Sequence, residues 1–444
     1  MSKIVLIGAN HAGTAAANTI LDNYPDNELT IFDRNSNISY LGCGTALWVG
    51  RQIDGPGSLF YSSAGKLAAR GAAVHMQTEV TDVDFDNKTV LARDKDGREM
   101  QESYDKLIIA TGSLPIVPDI EGLNLANVEF VKLFQDGQKI DRDLENPAVR
   151  RVAVVGAGYI GVEIAEAVRR RGKDALLFDV AESCLTAYYD EPFTRAMDAV
   201  LRSNGVETHY GEAVRAVRGE GAVSAIATDK GEYPVDMVVL CIGFKPNSAL
   251  GRGRLGTLKN GAYLVDRRQR TGAPGVYAIG DCAGVYSNAL GAESYIALAT
   301  NAVRSGLIAA HNACGTVMES PGVQGSNGIR IFGFNMVSTG LSFAAAQKAG
   351  FDAAYTEYED LQKPPFVKAE NAPVKLRIVY DRAGRRVLGA QMASDYDISM
   401  GIHMFSLAVE EGVAIDKLKL TDILFLPHFN QPYNYITMAA LGAK

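Results

Sequence analysis

Short apolar runs that end in glycine recur along the chain as far as residue 280. Residues 3–7 form one such run, without the polar–apolar alternation of a half-wet strand, which predicts a strand buried on both faces. Gly8-Ala9-Asn10-His11-Ala12-Gly13 follows, then a small-residue stretch, Thr14 to Leu21, that predicts a helix. The next apolar run, Leu29-Thr30-Ile31-Phe32, ends in Asp33. The same order returns downstream. Val152-Ala153-Val154-Val155 leads into Gly156-Ala157-Gly158-Tyr159-Ile160-Gly161, a helix bearing Glu163, and the strand Ala175-Leu176-Leu177-Phe178 closed by Asp179.

Two further strands of this kind bracket the second unit. Lys106-Leu107-Ile108-Ile109 runs into Ala110-Thr111-Gly112-Ser113, and Gly275-Val276-Tyr277-Ala278-Ile279 into Gly280-Asp281. Beyond Pro321 the pattern changes. Residues 374–380 alternate polar with apolar, which predicts a half-buried antiparallel strand, and 385–391 read as its hairpin partner. Helices are predicted at about 398–411 and 415–420. The expected fold is α/β, with two dinucleotide-binding domains and a C-terminal α+β domain. The bracketing strands are similar to those of the two-dinucleotide-binding flavoproteins, a resemblance that implies the second domain is inserted in the first. The expected boundaries are 1–115 and 246–320 for the divided domain, 116–245 for the inserted one and 321–444 for the last.

Each glycine turn opens a helix, where backbone N–H groups can hold a pyrophosphate and the strand-terminal acid can take ribose hydroxyls. The first turn is one glycine short of the full fingerprint; the second satisfies it. No basic residue closely follows Asp179, so its carboxylate predicts NADH rather than NADPH. Arg169-Arg170-Arg171 reads as a solvated helix end.

Composition narrows the classes. A chain of 444 residues with 47% hydrophobic and 21% charged content is an ordinary globular protein of several domains. Its net charge of −7 gives no footing for nucleic acid or an anionic membrane. No apolar run approaches the ~20 residues of a membrane span. With no signal pattern at the N-terminus, the expected location is the cytoplasm. The 45 glycines suit repeated close approach of backbone to phosphates. The five cysteines (43, 184, 241, 282 and 314) are scattered and lack a C-x-x-C, which argues for reduced thiols and against a metal site.

One cysteine stands apart. Ile38-Ser39-Tyr40-Leu41-Gly42-Cys43-Gly44-Thr45-Ala46-Leu47-Trp48 puts Cys43 between glycines ahead of a helix-like run, where a helix dipole would depress its pKa. A disulfide reductase would need a second cysteine five positions on, and that position is Trp48. A lone redox sulfur has sulfenic acid as its reversible oxidised form.

On these residues, together with Tyr188-Tyr189-Asp190, Gly325-Ser326-Asn327-Gly328 and Pro427-His428-Phe429-Asn430, the chain resembles the single-cysteine branch of the pyridine nucleotide-disulfide oxidoreductases. Within it the likeness is strongest to the water-forming NADH oxidases. Tyr40 departs mildly from the Phe expected there. The resemblance implies FAD in the divided domain, NADH in the inserted one, O2 as co-substrate, and a homodimer built through the C-terminal domain.

It also implies residue roles. Cys43 is the redox cysteine beside the flavin and His11 the active-site histidine facing it. The implied FAD positions are Gly8, Ala9, Asn10, His11, Ala12, Gly13, Asp33, Cys43, Val80, Ala110, Thr111, Gly112, Ser113, Lys132, Asp281, Ala297, Leu298 and Ala299. The NADH positions are Gly156, Gly158, Tyr159, Ile160, Gly161, Asp179, Tyr188, Gly243 and Gly328, with Tyr159 as a lid over the nicotinamide side.

The expected chemistry is O2 plus two NADH to two water, through peroxide made near Cys43, attack by its thiolate, and reduction of the resulting Cys–SOH by the second NADH. The rivals are an NADH peroxidase, a coenzyme A disulfide reductase, and a flavin-bearing redox sensor with little turnover. The reductase would want basic residues near the first helix, and residues 10–23 have none.

Overall fold

The computed structural model describes residues 2–444. Its first sheet is parallel, with five strands in the order Val276–Ala278, Lys106–Ile109, Lys3–Ile7, Glu28–Asp33 and Ala73–Met76. Lys3–Ile7 lies in the middle, with Ile4 opposite Lys106 on one side and Leu29 on the other. Ile4, Val5 and Leu6 are fully buried, which explains the unbroken apolar run. The following helix begins at His11 rather than Thr14 and runs to Asn23, so the imidazole sits on its first turn. It packs against helix Ala299–Ala313 at Gly306, where a Cβ would lie 2.4 Å from the Ala12 carbonyl oxygen.

The second parallel sheet has the order Val206–Tyr210, Asp174–Asp179, Arg151–Val155, Met237–Leu240 and Val128–Phe130. Helix Tyr159–Arg170 buries Val162, Ile164, Ala165 and Val168 beside it. The chain crosses between the two sheets through a short antiparallel pair, with Ser113 of one crossing opposite Pro246 of the other. The expected domain edges at 115 and 246 both fall on this pair.

The C-terminal sheet is antiparallel, in the order Asn327–Ile331, Phe334–Gly340, Val387–Ser394, Pro373–Asp381 and Ala353–Leu361. The strand expected at 374–380 is there, but it is not half-wet, and Val387–Ser394 is buried along its whole length. One face takes the apolar side chains of helices Ile402–Glu410 and Tyr435–Leu441. The other packs Ile329, Ile331 and Met336 against Tyr189, Phe193 and Met197 of the second unit. The polar half of the alternation is satisfied within the protein: Arg377 pairs with Asp190 and Glu357. Among the described residues no helix is long and apolar enough to cross a membrane.

Candidate active site

The two glycine turns are built alike. At Gly8 φ is +96° and a Cβ would sit 2.3 Å from the Ala110 carbonyl oxygen; at Gly13 it would sit 1.9 Å from that of Gly8. In the second unit Gly156 has φ +101° with the Cys241 carbonyl 2.5 Å from its would-be Cβ, and Gly161 has the Gly156 carbonyl at 1.7 Å. Only glycine lets these backbones touch. The strand-terminal acids hold the turns in place. Asp33 accepts the Ala9 N–H at 2.7 Å and the Asn35 N–H at 2.8 Å, while Asp179 accepts those of Ala157 and Ala181. Local spacing by itself implies only a ribose-binding part for these carboxylates. Burial pushes the pKa of Asp33 up, and its hydrogen bonds from Asn35 and Ala9 pull against that.

A cleft of about 420 Å³ opens along the first turn. Gly8, Ala9, Asn10, His11 and Ala12 line it, with Asp33, Val80, Lys132, Asp281 and the run Ala110, Thr111, Gly112, Ser113. Gly13 lies behind this wall, against Gly8. Leu298 lines a small neighbouring cavity with Asp281, while Ala297 and Ala299 line neither. Helix His11–Asn23 has no side-chain cap and no acid in its first turn, and the same holds for Tyr159–Arg170. Both N-termini therefore keep donors for a pyrophosphate. The cleft, the bare turn and the paired acid fit an FAD. At one end Lys132 is fixed: its Nζ donates to Ser113 Oγ at 2.7 Å, lies 3.3 Å from Asp281, and stands over the Phe244 ring at 4.4 Å.

Cys43 is central to a single helical turn, Gly42–Gly44, whose shape is held by Thr45 Oγ1 donating to the Gly42 carbonyl at 2.7 Å. Its thiol is free and exposed, as are no other cysteines; Cys184 and Cys282 are buried. The side chain is not part of the cleft wall, but the turn adjoins it at Gly42, which faces the Lys132 carbonyl. The depressed pKa expected for this thiol is not found. Packing around the sulfur and the Glu163 carboxylate push it up, and hydrogen bonds from the backbone of Cys43 and Gly44 only partly offset that. The helix that follows, Thr45–Val49, is too short to build much of a dipole. Glu163, on the helix packed against it, is itself pushed up to about 7 by burial and by Glu166.

His11 is turned to a residue that the sequence did not single out. Its Nδ1 lies 3.0 Å from the Tyr61 hydroxyl, and the two rings stack with centroids 5.9 Å apart. Among the described residues no hydrogen bond joins His11 to Cys43. Burial lowers the imidazole pKa, with Asp281 pulling it up and Lys132 down.

On the second unit, Tyr159 stands at the first turn of its helix with Tyr188 edge-on at 4.5 Å. Ile160 is half-buried against the core, and Gly243 lies in the link to Phe244–Pro246 with φ +101°. Gly158 has open space where a Cβ would be. Gly328 comes from the C-terminal sheet, beside Asn327, and a Cβ there would press on Val337 at 2.9 Å. Asn327 and Tyr189 meet Tyr159 here. Both occur in the motifs quoted above, but nothing in local spacing assigns them a part.

Residues 2–306 match the family model described as pyridine nucleotide-disulphide oxidoreductase. The NADH oxidase of Streptococcus pyogenes is 58% identical over 456 residues, covering 100% of both chains. That of Lactococcus lactis is 54% identical over 445 residues, again covering 100% of both. The solved water-forming NADH oxidase from Lactobacillus brevis, bound to NADH, superposes with a TM-score of 0.96 at 37% identity, over 99% of this chain and 98% of that one. By its glycine turns, its two parallel sheets and these full-length likenesses, the chain belongs to the pyridine nucleotide-disulphide oxidoreductase family.

Proposed function

We propose that this oxidoreductase is a water-forming NADH oxidase, in which two NADH reduce one O2 to two water and Cys43 carries the second two-electron step. The observation that supports the sulfur's part is its isolation: Cys43 is the exposed thiol, it is free, and it sits on the turn beside Lys132. The likeness to a water-forming NADH oxidase over nearly the whole chain supports the overall reaction. The enzyme works with FAD and NADH. FAD bound in the Gly8–Asp281 cleft would take hydride from NADH and deliver electron pairs to dioxygen and to oxidised sulfur.

The residues do the rest. The Cys43 thiolate attacks one oxygen of hydrogen peroxide, giving Cys–SOH and hydroxide. Two electrons and two protons return the sulfur to thiol and release water. His11, its pKa lowered by burial and its Nδ1 anchored by Tyr61, is placed to pass a proton through its other ring nitrogen. Glu163 sets the electrostatic condition for the thiolate: ionised it opposes a charge on Cys43, protonated it does not. Asp179 takes the adenosine ribose and repels a 2′-phosphate, which makes NADH the donor.

A second copy of the chain is the proposed partner. The tail exposes Leu420, Leu424, Phe425, Phe429 and Tyr433, an apolar set that suits an interface. Five free cysteines suit a reducing compartment, the cytoplasm. The test of the reaction is the NADH:O2 stoichiometry with a catalase check. Two to one without peroxide is expected. One to one with peroxide released overturns it, and anaerobic turnover on added peroxide with none on O2 points to a peroxidase instead.

A further inference from the structure

The Tyr159 hydroxyl reaches out of the second dinucleotide unit to the C-terminal sheet. It donates to Oδ1 of Asn327 and lies 2.9 Å from the Tyr189 hydroxyl. The same Oδ1 accepts from Ser338 Oγ at 3.0 Å, and the Tyr189 hydroxyl is 3.4 Å from it. The amide cannot turn freely, because its Nδ2 donates to the Gly325 carbonyl at 2.7 Å and so directs the oxygen at the hydroxyls. Asn327 and Ser338 are paired across neighbouring strands, so the acceptor is mounted on a hydrogen-bonded ladder rather than on a loop.

We propose that Asn327 is a positioning residue that latches Tyr159 closed over the nicotinamide side, and so sets how readily the dinucleotide is admitted. The inference rests on the reading of Tyr159 as the lid. A dinucleotide settling on the Gly156–Gly161 turn meets the Tyr159 ring at the start of the helix. Moving that ring aside breaks the contacts with Asn327 and Tyr189 together. A ligand that binds only the open state sees its affinity reduced by the fraction of molecules that are open. The C-terminal sheet thus acts on a step that takes place on another sheet.

The test is calorimetric binding of NAD+, which binds without turnover, to the FAD-loaded enzyme. Asn327→Ala and Tyr159→Phe are each expected to tighten the Kd by roughly three- to ten-fold, the worth of one or two hydrogen bonds. The double variant is expected to match Tyr159→Phe, since both act on one latch. An unchanged or weaker Kd in Asn327→Ala overturns the proposal. Should that variant fail to fold, Tyr159→Phe, which keeps the ring and its packing, decides in the same way. Tyr159→Ala separates the two ideas. If removing the ring leaves NAD+ binding unaltered, the lid reading falls and the latch with it. If it alters binding while Asn327→Ala and Tyr159→Phe do not, only the latch falls.

Discussion

Asp190 of the second unit and Arg377 of the C-terminal sheet form an ion pair at 3.3 Å, with both side chains less than a tenth exposed (5% and 7%). The Asp190 carboxylate also accepts the backbone N–H groups of Phe343 and Ala344 and the side-chain amide of Gln391. These contacts fix the second unit to the sheet that carries Asn327, and hence Tyr159 to its acceptor. Asp190→Ala would leave Arg377 buried with Glu357 as its remaining carboxylate partner, and is expected to destabilise the fold by about 3 kcal/mol. Denaturant titration checks this; a loss under about 1 kcal/mol would mean the pair adds little.

Cys43→Ser removes the atom that takes up oxygen from peroxide. NADH and O2 consumption should continue, with the NADH:O2 ratio falling from two towards one and H2O2 accumulating. An oxygen electrode with and without catalase reads both. Water as sole product in this variant would end the sulfenate step.

Glu163→Gln keeps the shape and removes the charge within electrostatic reach of Cys43. The thiol pKa should fall, because the ionised carboxylate helps to hold it up. Alkylation of Cys43 by iodoacetamide near neutral pH is expected to quicken by up to about tenfold. In the unsubstituted enzyme the alkylation profile should carry an inflection near the Glu163 value of about 7, and the variant should lose it.

The same carboxyl bears on stability. Its folded pKa of about 7 lies above the ordinary glutamate value of 4.5, so between those values the folded chain holds more protons than the unfolded one. Stability from this group is present at low pH and is lost as pH rises through 7, by up to about 3 kcal/mol across the window. Unfolding midpoints from pH 4.5 to 8 should show that slope in the parent and a flatter one in Glu163→Gln.

Glycines in one fingerprint should not be equivalent. Gly161→Ala puts a methyl 1.7 Å from the Gly156 carbonyl oxygen and is expected to disrupt the turn, whereas at Gly158 the space is open. Gly158→Ala should fold as the parent does and weaken dinucleotide binding, because the lost room faces the ligand. Melting temperature and NAD+ affinity, measured side by side, distinguish the two. Equal melting losses would contradict the contrast.

The spacing of residues along the chain was enough to determine the two strand–glycine–helix units, the acids that end their second strands, and the solitary cysteine on its turn. All of these depend on neighbours a few positions apart, where backbone sterics and strand or helix period decide the outcome. What the tertiary structure alone decided lies between segments far apart in sequence. His11 turns to Tyr61 because the loop bearing that phenol folds over the first helix turn. The alternating strand at 374–380 loses its wet face because Asp190 of the second unit pairs with Arg377 and the helix Phe343–Lys348 packs over Val379. The Cys43 pKa moves opposite to the local expectation because partial desolvation by the atoms packed around the sulfur and Glu163, brought in by a helix more than a hundred residues away, outweigh a short helix's dipole. Long-range fields and desolvation depend on what packs around a group, and a local pattern of residues does not encode that.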